Sequence, residues 1–150
     1  MGKIKRKNEL SFKEFTEGLE LPEGKTNPIT RVQLVDCASA SGDYNLLYYD
    51  KSFAKETGLN GCIAHRMFQA GIISSYILNW TKGGIMRNFK IRFSDVVNEN
   101  DILTFKGKIV KKYQENGENL IEISVVSETQ EKQVTSQGSA VIAFILPREN

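Results

Sequence analysis

The chain has 150 residues, of which 40% are apolar and 25% charged, and its 20 basic and 18 acidic side chains leave a net charge of +2. That length suits one domain spanning residues 1–150 with a sizeable core, and so balanced a charge argues against nucleic acid as a partner. The most apolar stretch, "CIAHRMFQAGIISSYILNW", carries a His, an Arg and a Gln and reads as a buried helix, not a membrane span.

The basic cluster Lys3, Lys5, Arg6 and Lys7 reads as a frayed, solvated terminus over residues 1–10. It leads into "NELSFKEF" and not into an apolar run, so no secretory signal is expected and the location is read as cytoplasmic. "FTEGLELPEGKTNP" follows, with two glycines and two prolines, and predicts extended chain and turns. Thr30 then caps a helix "RVQLVDCASA" that stops at Gly42, with Val32, Val35 and Ala38 as its expected inner face. After the loop "SGDYNLLYYD", Ser41 to Asp50, a short helix "KSFAKETG" ends on Gly58.

From Ile63 to Leu78 apolar residues fall on most sides of a helical wheel, which predicts a helix enclosed by other structure. Ala64, Ala70, Gly71, Ser74 and Ser75 would let a sheet approach it closely. The second half alternates. "NFKIRFSDV" sets Phe89, Ile91 and Phe93 against Lys90, Arg92 and Ser94, and "ILTFKGKIV" sets Leu103, Phe105 and Ile109 against Thr104, Lys106 and Lys108. "LIEISVV" and "VTSQGSAVIAFIL" complete an antiparallel set, with Asn116-Gly117 as a hairpin turn in the middle. Helices first and strands after predict an α+β fold, a sheet packed on one central helix.

The two cysteines, Cys37 and Cys62, form no C-x-x-C pair and read as reduced core thiols. Cys62 and His65 fall one helical turn apart, but His65 is the sole histidine and no second pair exists, so no metal site is expected.

With "SGDYNLLYYD", "FAKETGLNGC" and "IAHRM" in this order, the sequence resembles the MaoC-like, or (R)-specific enoyl-thioester hydratase/dehydratase, branch of the hot-dog fold. Within that branch it is most similar to the catalytic-type subunit of the mycobacterial hydroxyacyl-carrier-protein dehydratases. The family pattern runs S-G-D-x-N-P-x-H-x-D, then I-A-H-G-M opening the central helix. "MRNFKIRFSDVV" and "NENDILTFKGKIV" resemble the family's next segment, so the likeness covers roughly residues 11 to 146. The resemblance implies a hot-dog fold, an acyl thioester of coenzyme A or of a carrier protein as substrate, and no cofactor. It also implies pairing with a second hot-dog subunit, as homodimer or heterodimer.

Carried over by position, Asp43 is the family's catalytic aspartate and Asn45 its motif asparagine, expected to touch substrate. Asp50 is expected to hold the loop, and His65 is expected to be structural. Three positions depart from the pattern: Leu46 replaces the proline, Tyr48 the catalytic histidine, and Arg66 a glycine. Arg66 is expected either to reach a phosphate of the substrate carrier or to face solvent at the helix start.

Hydrating an enoyl thioester needs a base for water, an acid for the α-carbon, and donors for the enolate-like oxygen. Asp43 serves as base where burial raises its pKa from about 4. Tyr48, with a reference pKa of about 10, is protonated at neutral pH and so donates but rarely accepts. Three readings stand at this stage. One is a hydro-lyase using Asp43 and a Tyr48-assisted water. Another is a non-catalytic thioester-binding subunit of a heterodimer. The third is a hot-dog thioesterase, which the motif order disfavours.

Overall fold

The computed structural model describes residues 12–144. The basic cluster within residues 3–7, and Ile145 and Leu146 of the last expected strand, lie outside the described residues. Five strands, β1 (Gly24–Lys25), β2 (Ile85–Phe93), β3 (Thr104–Glu115), β4 (Glu118–Glu128) and β5 (Val134–Phe144), form one antiparallel sheet in the order β1-β3-β4-β5-β2. Helices α1 (Arg31–Ser41), α2 (Lys51–Glu56) and α3 (Arg66–Trp80) precede β2. Ile73 and Ile77 of α3 share a core with Phe105, Ile109, Ile121, Ile123 and Ile142 of the sheet. This is the hot-dog arrangement, α+β, with an antiparallel sheet curled about one long helix.

The alternation expected from the sequence sets the faces. Phe89, Ile91 and Phe93 of β2 are less open than Lys90 and Arg92, and in β3 Phe105 and Ile109 are buried between exposed lysines. Thr104, expected among the outward polar residues, is buried instead, because Lys25 and Glu128 flank it on both sides. Asn116 and Gly117 take φ of 51° and 77° between Glu115 and Glu118, the two-residue turn that matches the strands' twist. The chain before β1 is extended, with Leu21 N–H donating to the Gly107 carbonyl at 2.8 Å.

α1 starts and stops where its caps predict. The Thr30 hydroxyl accepts from Gln33 N–H in a capping box, and Gly42 closes the helix at φ 72°, a conformation in which a Cβ would be strained. Its inner face differs from the expectation. Leu34 and Ala38 are buried, one turn apart, while Val32 is 68% and Val35 45% exposed. Cys62 is buried as expected, but Cys37 on α1 is only half-buried.

α3 also departs from its reading. It begins at Arg66, after Ile63 bridges to Asn98 and Ala64 N–H donates to the Val97 carbonyl at 2.8 Å. Cys62 and His65 are therefore not a helical turn apart. The sheet covers one side of α3, burying Gln69, Ala70, Ile73 and Ile77. Met67 and Leu78 on the other side are 73% and 38% exposed. Of the small residues, Ala64 and Ala70 meet the core, whereas Gly71 and Ser75 face outward.

Candidate active site

The loop from Gly42 to Asp50 is folded by its own short polar side chains. Asn45 N–H reaches Asp43 Oδ1 at 3.4 Å, and Asn45 Oδ1 accepts from Leu47 N–H at 3.0 Å, starting a single 3-10 turn over Leu46–Tyr48. Asp50 then accepts from Ser52 and Phe53 N–H at 2.9 and 3.0 Å, capping α2, which is the loop-holding role expected of it. Two longer connections dock the loop. Ile63 N–H donates to the Leu47 carbonyl at 3.1 Å, and Arg31 Nη1 donates to the Tyr49 carbonyl at 3.1 Å while Nη2 pairs with Glu99 at 2.5 Å.

Docking brings Asp43, Tyr48, His65 and Arg66 to the N-terminus of α3. The Tyr48 and His65 rings stack at 3.4 Å between centroids and 26° between planes. His65 Nε2 lies 3.1 Å from the Asp43 backbone carbonyl. A carbonyl oxygen only accepts, so Nε2 carries the hydrogen and donates it. The Tyr48 phenol lies near enough to the Asp43 carboxylate for the two to interact electrostatically. Burial pushes the Tyr48 phenol above its usual range, the neighbouring Asp43 carboxylate adds to that, and the Arg66 guanidinium opposes it. His65 is the N-cap residue of α3 but makes no side-chain capping bond, so the first amides of the helix, from Arg66 and Met67, have no acceptor among the described residues.

Asp43 and Tyr48 come together. Arg66 stands beside them as the first residue of α3, exposed. Asn45 is on the same loop, but its side-chain oxygen is occupied by the turn. The burial expected around Asp43 is not supplied by this chain, since its side chain is exposed. Arg31 and Glu99 were not legible as site residues, because their pairing links positions 68 residues apart. Cys37, read from the sequence as a core thiol, lies within the electrostatic reach of Asp43, and burial together with that carboxylate raises its pKa. Among the described residues no cluster of His, Cys, Asp and Glu could hold a metal ion.

The model of the family described as "MaoC like domain" matches residues 16–133. The chain belongs to the MaoC-like domain family. The peroxisomal hydratase-dehydrogenase-epimerase of Neurospora crassa is 33% identical to this MaoC-like domain over 86 residues, which are 55% of this chain and span 9% of the fungal protein. The unliganded R-hydratase PhaJ1 from Pseudomonas aeruginosa has the same fold, with a TM-score of 0.81 at 24% identity over 93% of this chain and 94% of that one. The ChsH1-ChsH2 complex from Mycobacterium tuberculosis matches with a TM-score of 0.75 at 19% identity over 86% of this chain and 98% of that one. At these identities the two solved structures speak for the fold. No helix of the described residues is long and apolar enough to cross a membrane.

Proposed function

We propose that this MaoC-like chain is an acyl-thioester hydro-lyase, adding water to a 2-enoyl thioester and removing it from a 3-hydroxyacyl thioester, with Asp43 and Tyr48 as its acid–base pair. The observation that carries this reading is the closeness of the Tyr48 phenol to the Asp43 carboxylate, beside uncapped amides at the start of α3.

In the hydration direction the Asp43 carboxylate takes a proton from water as the water oxygen bonds to C3. The C2=C3 electron pair moves toward the thioester carbonyl, whose oxygen is held by the Arg66 and Met67 amides and favoured by the positive end of the helix dipole. The enolate collapses as the Tyr48 hydroxyl delivers its proton to C2. Asp43 is then a carboxylic acid and Tyr48 a phenolate. One proton passing between the two neighbouring groups restores both, downhill because a carboxylic acid is a far stronger acid than a phenol. Dehydration is the same path reversed. The thioester is carried by coenzyme A or a carrier protein, and no cofactor takes part.

Two surfaces support assembly with a second hot-dog subunit, either a copy or a relative. The open side of α3 presents Met67 and Leu78, and Val32 and Val35 of α1 are exposed as well. Among the described residues β2 pairs on one edge, with β5. The ChsH1-ChsH2 pair is such a two-component complex. The exposure of Asp43 favours a second reading, a thioester-binding subunit whose partner supplies the reacting pair.

Hydration of crotonyl-CoA by the purified chain tests the proposal, with Asp43→Ala alongside. Activity that Asp43→Ala abolishes supports the hydro-lyase. No activity in the native chain, but clear activity in Tyr48→His, would sink it and favour the binding subunit.

A further inference from the structure

We infer that His65 is a positioning residue for the Asp43–Tyr48 pair, holding the carboxylate-bearing loop through its Nε2–H and the reacting phenol through its ring. The inference rests on the hydro-lyase reading and adds to it the device that aligns the two groups.

The problem His65 solves is visible in the loop. Asp43 is exposed, and its carboxylate is held by Asn45 N–H at the long distance of 3.4 Å. Tyr48 leaves the 3-10 turn with a side chain that rotates about two torsions, and within the loop it interacts with the Asp43 carboxylate, itself exposed. His65 meets both. It is 4% exposed, is locked in the segment between the Ala64–Val97 hydrogen bond and the first turn of α3, and has no freedom to follow the loop. From that fixed place its Nε2–H donates to the Asp43 carbonyl and its face supports the Tyr48 ring. An aromatic face stacked under another ring restrains tilt as well as position. Because His65 immediately precedes Arg66, the same backbone also fixes the amides proposed to hold the thioester oxygen. Acid, base and oxyanion donors are thus referred to one buried residue.

The chemistry of His65 excludes the alternative that it replaces the missing family histidine as the catalyst. Nε2 is committed to a backbone carbonyl, and Nδ1 is buried with no hydrogen-bond partner among the described residues. Neither nitrogen is open to a reacting atom. His65 therefore acts through Tyr48 and Asp43.

Two substitutions separate the two contacts. His65→Phe keeps a ring under Tyr48 and removes the donor. His65→Gln keeps an amide N–H of similar reach and removes the ring. Each is measured for crotonyl-CoA hydration alone and combined with Tyr48→Phe, and ultraviolet absorbance follows the Tyr48 titration as the difference between each protein and its Tyr48→Phe counterpart. Misalignment of reacting groups by about 1 Å costs about 10²-fold, so kcat is expected to fall about 10- to 100-fold in His65→Gln with KM little changed. In the Tyr48→Phe background the same substitution is expected to cost less than about threefold, since residues acting as a unit are not additive. The Tyr48 titration moves to lower pH in His65→Gln, where the ring that shields the phenol is gone, and stays in His65→Phe. Equal losses in both backgrounds, with an unmoved Tyr48 titration, would show a merely structural histidine and overturn the inference. A native chain without hydratase activity would overturn the hydro-lyase reading, and the titration would still decide the positioning role by itself.

Discussion

Tyr48→Phe isolates the atom on which the proposed chemistry turns. The substitution removes one hydroxyl and keeps the ring that stacks on His65 at 3.4 Å, so that contact is retained. The hydroxyl's interaction with Asp43 would be worth about 1.5–3 kcal/mol as a charge-assisted hydrogen bond with both partners shielded. Here Asp43 is exposed and water takes the vacated place, which reduces the stability loss to about 1 kcal/mol or less. For a chain of this size that is a fall in Tm of about 2–4 °C. Activity responds on another scale. A group that donates a proton in the transition state contributes about 10²–10⁴-fold, or about 2.7–5.4 kcal/mol at 1.36 kcal/mol per tenfold. Crotonyl-CoA hydration, read as loss of the enoyl-thioester absorbance, should therefore drop by at least about 10²-fold in a protein that melts almost where the native one does. Retention of more than a third of native activity would refute the phenol as acid. A fall in Tm of about 10 °C would refute the small part in stability given to the hydroxyl.

Further expectations concern pH, the loop's anchor and the sheet. Because burial and Asp43 raise the Tyr48 pKa, the phenol stays protonated through neutral pH; the Tyr48 contribution to activity should hold to about pH 10 and decline above it, whereas Tyr48→His should introduce a limb at about pH 6.5, both read from pH–rate profiles. The stability contributed by the same shift is fully present below the unfolded value of about 10 and lost as pH rises through the higher folded value, which alkaline melts of native and Tyr48→Phe protein would reveal as a difference. Arg31→Met leaves half-buried Glu99 unpaired and frees the Tyr49 carbonyl; a stability loss of about 1–2 kcal/mol in denaturant titration and a lower kcat are expected. At Gly138 an added Cβ would stand 2.0 Å from the Lys90 carbonyl oxygen and 2.9 Å from Ile91 Cα, both backbone atoms of β2, so Gly138→Ala must displace that strand at a cost of about 2–3 kcal/mol, measurable by thermal melting.

Much of the fold is readable locally. Thr30 and Gly42 bound α1 because a cap acts on amides and carbonyls within one turn of itself. Alternation over Phe89–Phe93 of β2 and Phe105–Ile109 of β3 marks both strands because strand side chains point to opposite faces in turn. The order of the polar residues from Asp43 to Asp50 likewise foretells the loop, since each Asx side chain bonds backbone only two or three residues on. The resemblance to the MaoC-like family was legible for the same reason: its motif lies in one short run and the start of the next helix.

What the sequence by itself determined is therefore whatever depends on neighbours along the chain, namely the elements, their ends, the hairpin turn and the loop carrying Asp43 and Tyr48. Only the tertiary structure decided which of two apolar rows of α1 turns inward, Leu34 and Ala38 rather than Val32 and Val35, because hydrophobicity is not directional and the neighbouring surface makes the choice. It decided that α3 is covered on one side and open at Met67, since the helix carries enough apolar surface for two partners and this chain supplies one sheet. It also set Tyr48 on His65, and Arg31 on Glu99. Contacts between residues so far apart in sequence carry no periodic signal, and they form only when the sheet and the central helix pack and bring the two ends of each contact to one place.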